Sequence, residues 1–212
     1  NFSYGVIMLR IALVLLAVLG FANPVLAAAP QIGEQAPAFA VQDINGKRIS
    51  PAEFNHKTIV LEWNNPECPF VKKFYGAGKM QELQKKAVAD GVVWLTINSS
   101  ALGKQGAISP EEAMKINKER GWAGTAYILD PHGNIGRMYG AKTTPHMFII
   151  NKNGNLVYAG AIDSKNSANP ADIPDATNYV TAALNDLKAE KNIATPSTQA
   201  YGCSIKYGEE QP

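Results

Sequence analysis

The chain has 212 residues and carries 20 Lys plus Arg against 18 Asp plus Glu, a net charge of +2. That balance, without a basic stripe or a block of like charge, excludes a protein held on nucleic acid by counterion release and excludes an acidic disordered tail. Two cysteines, Cys68 and Cys203, exclude a disulfide-dense scaffold and a Cys₄ zinc site, and the three histidines, His56, His132 and His146, are too dispersed to share ligand spacing on one element.

The first segment with a pattern follows Arg10. The run from Ile11 to Phe21 is uncharged and apolar, Asn23 and Pro24 break it, and small residues fill Ala27 to Ala29. A positive start, a short apolar stretch and an Ala-x-Ala site make a secretory signal peptide, with cleavage expected after Ala27 or Ala29. The run is shorter than the roughly 20 apolar residues that span a bilayer, so no stable membrane insertion is expected after cleavage. Met8 is the expected start of translation. The expected organisation is residues 1–29 as upstream residues plus signal peptide, 30–192 as one domain, and 193–212 as an irregular C-terminal tail carrying Cys203. The expected destination is outside the cytosol, in a periplasm.

In the mature chain, residues 36–43 and 45–49 flank an Asn45-Gly46 turn and predict a short edge hairpin. Residues 58–63 and 92–97 are continuous β-branched and apolar runs, the mark of strands covered on both faces. Residues 69–89 between them predict a helix, with Gly76 and Gly78 weakening it midway. Strand, helix and strand at this spacing predict a βαβ unit with parallel strands. Ser109, Pro110 and Glu112 predict a capping box opening a helix that stops at Gly121. Residues 126–129 predict a strand, and residues 147–150 and 156–160 predict an antiparallel hairpin around the turn 151–155. Asp175 is the expected N-cap of a final amphipathic helix with Val180, Ala183, Leu184 and Leu187 on one face. Residues 163–174 read as a surface loop. The fold class is therefore α/β, a central mixed sheet flanked by helices.

The chemistry centres on Cys68. It follows a buried strand and directly precedes Pro69, so it occupies or adjoins the N-cap of the next helix, where unpaired N–H groups and the helix dipole favour an anion. A thiol placed there becomes partly thiolate, the nucleophilic form, and Lys72 and Lys73 add positive charge. The bland alternative is a small buried hydrophobe. Pro145, directly before the strand at 147–150, reads on local grounds as a strand-start proline.

The segments Trp63 to Val71, Tyr127 to Pro131, Thr144 to Ile150 and Asn153-Gly154 together resemble the thioredoxin superfamily, and more closely its redoxin branch, the peroxiredoxin-like proteins of the alkyl hydroperoxide reductase/thiol-specific antioxidant type. The resemblance covers roughly residues 32–190 and implies a thioredoxin-like fold. It also implies that Cys68 is the attacking cysteine. Thr144 and Pro145 would form a cis-proline loop that packs against Cys68 and presents a backbone edge to substrate. Two features depart from the pattern. The run is Cys68-Pro69-Phe70-Val71, without the second cysteine of Cys-x-x-Cys. Asn65 and Leu61 stand where a typical peroxiredoxin has Thr/Ser and Pro, and none of Arg48, Arg120 and Arg137 can be assigned to Cys68.

Cys203 has three readings: a resolving thiol that returns over the active site, a partner in a permanent Cys68–Cys203 bridge, or a free or intermolecular thiol. The expected activity is an exported thiol oxidoreductase in which Cys68 attacks a peroxide or a protein disulfide and an unidentified thiol reductant restores it. The rivals are a disulfide exchange protein for exported partners and a non-catalytic binding module. No metal or organic cofactor is implied.

Overall fold

The computed structural model describes residues 29–209, so the expected signal segment from Met8 to Ala27 lies outside the described residues. Val41–Gln42 (β1) and Arg48–Ile49 (β2) pair antiparallel around Gly46, whose φ of 76° suits glycine at the turn. This hairpin stands apart from the main sheet and docks beside it through the Ile44 N–H, which donates to the Tyr127 carbonyl at 3.0 Å.

Every residue of Ile59–Trp63 (β3) is buried, which is the state the continuous apolar run predicts. A single helix over 69–89 is not what forms. Pro69–Gly76 (α1) and Lys79–Ala89 (α2) are separate helices, because Gly78 takes a left-handed φ of 72° between them. Val93–Asn98 (β4) is buried throughout. Pro110–Arg120 (α3) opens with the Ser109–Glu112 capping box and ends at Gly121, as its sequence predicts. Ala126–Leu129 (β5) is followed by a five-residue helix, Asn134–Met138 (α4), and by the two-residue strand Thr143–Thr144 (β6). His146–Ile150 (β7) and Leu156–Gly160 (β8) form the predicted hairpin.

The final helix, Tyr179–Lys188 (α5), starts later than expected. Its N-cap is Asn178, not Asp175, because the Asn178 side chain accepts from the Thr181 N–H at 2.8 Å. The tail is not wholly irregular either. Cys203–Ser204 (β9) pairs antiparallel with β6, placing Thr144 opposite Cys203.

The main sheet has the order β5-β4-β3-β7-β8, parallel across β5, β4 and β3 and antiparallel across β3, β7 and β8. Alternation along the central strands feeds two apolar layers. Ile59, Leu61 and Trp63 join Leu95, Ile97 and Phe148 on one face, while Val60 joins Trp94, Met147 and Ile149 on the other, under α1, α2 and α5. Each large side chain fully buried in this way contributes roughly 1.5–3 kcal/mol. The second layer contains Cys68, so the sulfur lies at the carboxyl end of β3 against the helical side of the core.

Candidate active site

Cys68 is the N-cap of α1, with Pro69 at N1. The loop before it is tied at each residue. The Asn64 N–H donates to Ile97, the Asn65 side chain accepts from the Glu67 N–H at 2.9 Å, and the Pro66 carbonyl accepts from Arg120 Nη2 at 2.7 Å. The Arg120 guanidinium also lies over the Tyr75 ring, so this arginine holds the loop two residues upstream of the sulfur. Arg48 pairs with Glu53 at the surface, and Arg137 stacks on Tyr207 and donates to the Gly208 carbonyl.

The Thr144-Pro145 peptide bond is cis, and the Thr144 carbonyl oxygen lies 3.1 Å from Cys68 Sγ. Cys203, 135 residues away in sequence, has its sulfur 2.7 Å from Cys68 Sγ, and both residues are free cysteines. Thus the four residues singled out from sequence, Cys68, Cys203, Thr144 and Pro145, come together in one place. Cys68 is fully buried and Cys203 partly exposed.

The two thiols differ electrostatically. Burial pushes the Cys68 thiol up, but hydrogen bonding from the Cys203 thiol and from the backbone at Val71 and Cys203 outweighs it and holds the group below the ordinary thiol value. Burial pushes Cys203 up, and its hydrogen bond to Cys68 and the Cys68 charge push in the same direction. Cys68 accordingly gives up its proton more readily than Cys203.

Two buried polar clusters are built on the elements either side of Cys68, β3 and α1, and the sequence reading missed both. Glu62, on β3, is fully buried and accepts from Asn64, Tyr75, Gln84, Trp94 and Thr96. The only hint in the sequence is an acidic residue inside a strand otherwise read as core. Lys73 and Asp163 form a buried ion pair at 3.3 Å, and the Tyr201 hydroxyl donates to the same carboxylate. Asp163 is therefore not part of a surface loop, and the charge of Lys73 goes to Asp163 instead of to solvent beside Cys68. His146 is also buried, with Nδ1 accepting from the Lys142 N–H at 3.2 Å. Burial and then the Lys142 charge push its pKa down to about 4, so the imidazole is neutral at neutral pH. Asn98 is buried and donates to the Gly106 carbonyl.

Among the described residues, no group of three or more His, Cys, Asp or Glu side chains is arranged to hold a metal ion, and no helix is long and apolar enough to cross a membrane.

The sequence profile of the AhpC/TSA family matches residues 32–159. The thiol-disulfide oxidoreductase ResA of Bacillus thuringiensis subsp. konkukian is 26% identical over 127 residues, which cover 60% of this chain and 68% of that protein. Among solved structures, an uncharacterized conserved protein from Geobacillus kaustophilus superposes with a TM-score of 0.75 at 25% identity, covering 85% of this chain and 94% of the other. A protein of Chlorobium tepidum described as a putative thiol:disulfide interchange protein DsbE superposes at 0.51 with 23% identity, covering 62% and 85%, and shares the fold.

Proposed function

The chain belongs to the AhpC/TSA family and has a thioredoxin-like fold, and from that premise we propose that it is an exported two-cysteine thiol oxidoreductase. The observation that carries this reading is the 2.7 Å approach of Cys203 Sγ to Cys68 Sγ at the start of α1. In the proposed cycle the Cys68 thiolate attacks an electrophile, either a disulfide sulfur or a peroxide oxygen. A disulfide leaves Cys68 in a mixed disulfide and releases a thiol; a peroxide leaves Cys68 sulfenic acid and releases an alcohol or water. Cys203 then attacks the Cys68 sulfur. The Cys68–Cys203 disulfide forms, the second thiol or a water molecule leaves, and an external thiol reductant later returns both electrons. Thr144 and Pro145 would border the substrate at Cys68, on the edge that β9 pairs with in this structure. The similarity to ResA supports the disulfide as substrate, while the family match keeps peroxide as the second electrophile. Export rests on the signal pattern between Arg10 and Ala29.

The test is mass spectrometry of the reduced protein after one equivalent of oxidant. The expected product is a Cys68–Cys203 bridge in the wild type and a trapped Cys68 adduct or sulfenic acid in Cys203→Ser. Oxidant consumption should be lost in Cys68→Ser. An unchanged rate in Cys68→Ser, or a wild-type protein in which Cys68 is oxidised and Cys203 stays reduced, would overturn the assignment.

A further inference from the structure

The edge of β6 beside Pro145 is not open. Thr144 and Thr143 pair with Cys203 and Ser204, and the Ile205 N–H extends the ladder by donating to the Lys142 carbonyl at 3.0 Å. The tail lies where an incoming extended chain would make its backbone hydrogen bonds, and it presents its own cysteine to Cys68. Three features build it into place. Gly202 has a φ of +124°, and a Cβ there would overlap the Thr144 carbonyl oxygen, so only glycine lets the tail come this close. The Tyr201 ring packs edge-on against Phe70 of α1, at a centroid distance of 5.8 Å. The Tyr201 hydroxyl donates to Asp163, which Lys73 of α1 neutralises.

We propose that residues 201–205 are the specificity element of the site: an in-chain strand fills the Thr144 edge, so Cys68 reacts with low-molecular-weight oxidants and is closed to disulfides within extended protein chains until β9 lifts. This rests on the reading of Cys68 as the attacking sulfur. A strand entering from another chain gains affinity from main-chain pairing with an unpaired edge, and here that pairing is already taken. A small disulfide RSSR needs no edge, only enough opening beside the partly exposed Cys203 to reach the buried Cys68 sulfur. Its sulfur takes the Cys68 electron pair to give Cys68–S–SR and RS⁻, and Cys203 displaces the second RS⁻ as the internal bridge closes. A small hydroperoxide likewise gives Cys68 sulfenic acid and an alcohol, and closure with the Cys203 thiol then releases water.

The experiment compares two probes with the same bond chemistry, bis(2-hydroxyethyl) disulfide and an extended peptide of about ten residues carrying one disulfide. Rates of Cys68 oxidation are measured for the full chain, Tyr201→Phe, Gly202→Ala and Cys68→Ser, with hydrogen exchange at the Ile205 amide followed in parallel. The wild type should strongly prefer the small disulfide. In Tyr201→Phe and in Gly202→Ala the peptide-to-small-disulfide rate ratio should rise by about tenfold, corresponding to about 1.4 kcal/mol of lost edge pairing, and Ile205 exchange should accelerate. Equal wild-type rates for the two probes, or faster Ile205 exchange with an unchanged ratio, would overturn the proposal and leave the role of Cys68 intact. Unchanged reaction in Cys68→Ser, or no wild-type reaction with the small disulfide, would instead overturn the underlying reading and this one with it.

Discussion

The Cys203 thiol hydrogen-bonds to Cys68 and helps hold its thiol below the ordinary value, and this ties the reactivity of one sulfur to the presence of the other. Thiol alkylation follows the thiolate fraction, so its rate rises with pH through the Cys68 pKa. Removing the donor in Cys203→Ala should move that profile to higher pH and slow alkylation about tenfold in mildly acidic buffer, the order expected for losing one hydrogen bond to a charged group. Cys203→Ser keeps an O–H donor and should shift the profile less; identical profiles for Ala, Ser and wild type would show that Cys203 does not tune Cys68. Because the folded state lowers this pKa, its contribution to stability is present above the unfolded thiol value and is lost as pH falls through the folded one. The position of Cys68 was legible because a strand, a proline and a helix in sequence define an N-cap locally. The position of Cys203 was not, since a two-residue strand closing across 135 residues leaves no period to read.

At the scale of elements, the helical layer is held by features that hydrophobic spacing conceals. Residues 69–89 carry a helical apolar pattern on both sides of the break, yet Gly78 turns the chain left-handed between α1 and α2. A Cβ at Gly78 meets nothing within contact distance, so Gly78→Ala should cost about 1 kcal/mol from conformation alone, read as a shift in the denaturant midpoint. The Lys73–Asp163 pair bridges α1 to the segment after β8, and the usual expectation that charges lie outside placed Asp163 at the surface. Its burial is tolerable because Lys73, 90 residues away, pairs with it and the Tyr201 hydroxyl donates to it. Lys73→Ala leaves that carboxylate buried without its cation and should destabilise the protein by about 3–5 kcal/mol, whereas the double variant Lys73→Met/Asp163→Leu should lose less. Equal losses in the single and double variants would mean that the cost comes from lost packing alone. The strands and the capping box of α3 followed their local patterns closely, since each has its cause within a few residues.

Across the whole molecule, the tail joins the end of the chain to the end of β3, so closing the Cys68–Cys203 bridge changes the stability of everything between them. The bridge would enclose a separation of 135 residues and restrict the unfolded chain by about 5 kcal/mol in the chain-entropy account. Folded and unfolded states, each open or bridged, form a closed thermodynamic square. Whatever the bridge adds to folding stability, the fold therefore adds to the bridge's resistance to reduction. At about 30 mV per 1.4 kcal/mol, 5 kcal/mol corresponds to a potential about 100 mV more negative in the native protein than in the denatured chain. The denaturant midpoint should rise on oxidation of the wild type and stay fixed in Cys203→Ser. Redox titration in native buffer and in guanidinium should differ with the same sign. A native potential equal to or higher than the denatured one would show that the tail must distort to form the bridge by at least as much as loop closure contributes. The approach of β9 to β6 would then be a reduced-state arrangement, and oxidation would weaken the ladder between Thr144 and Cys203 and open the edge that the tail covers.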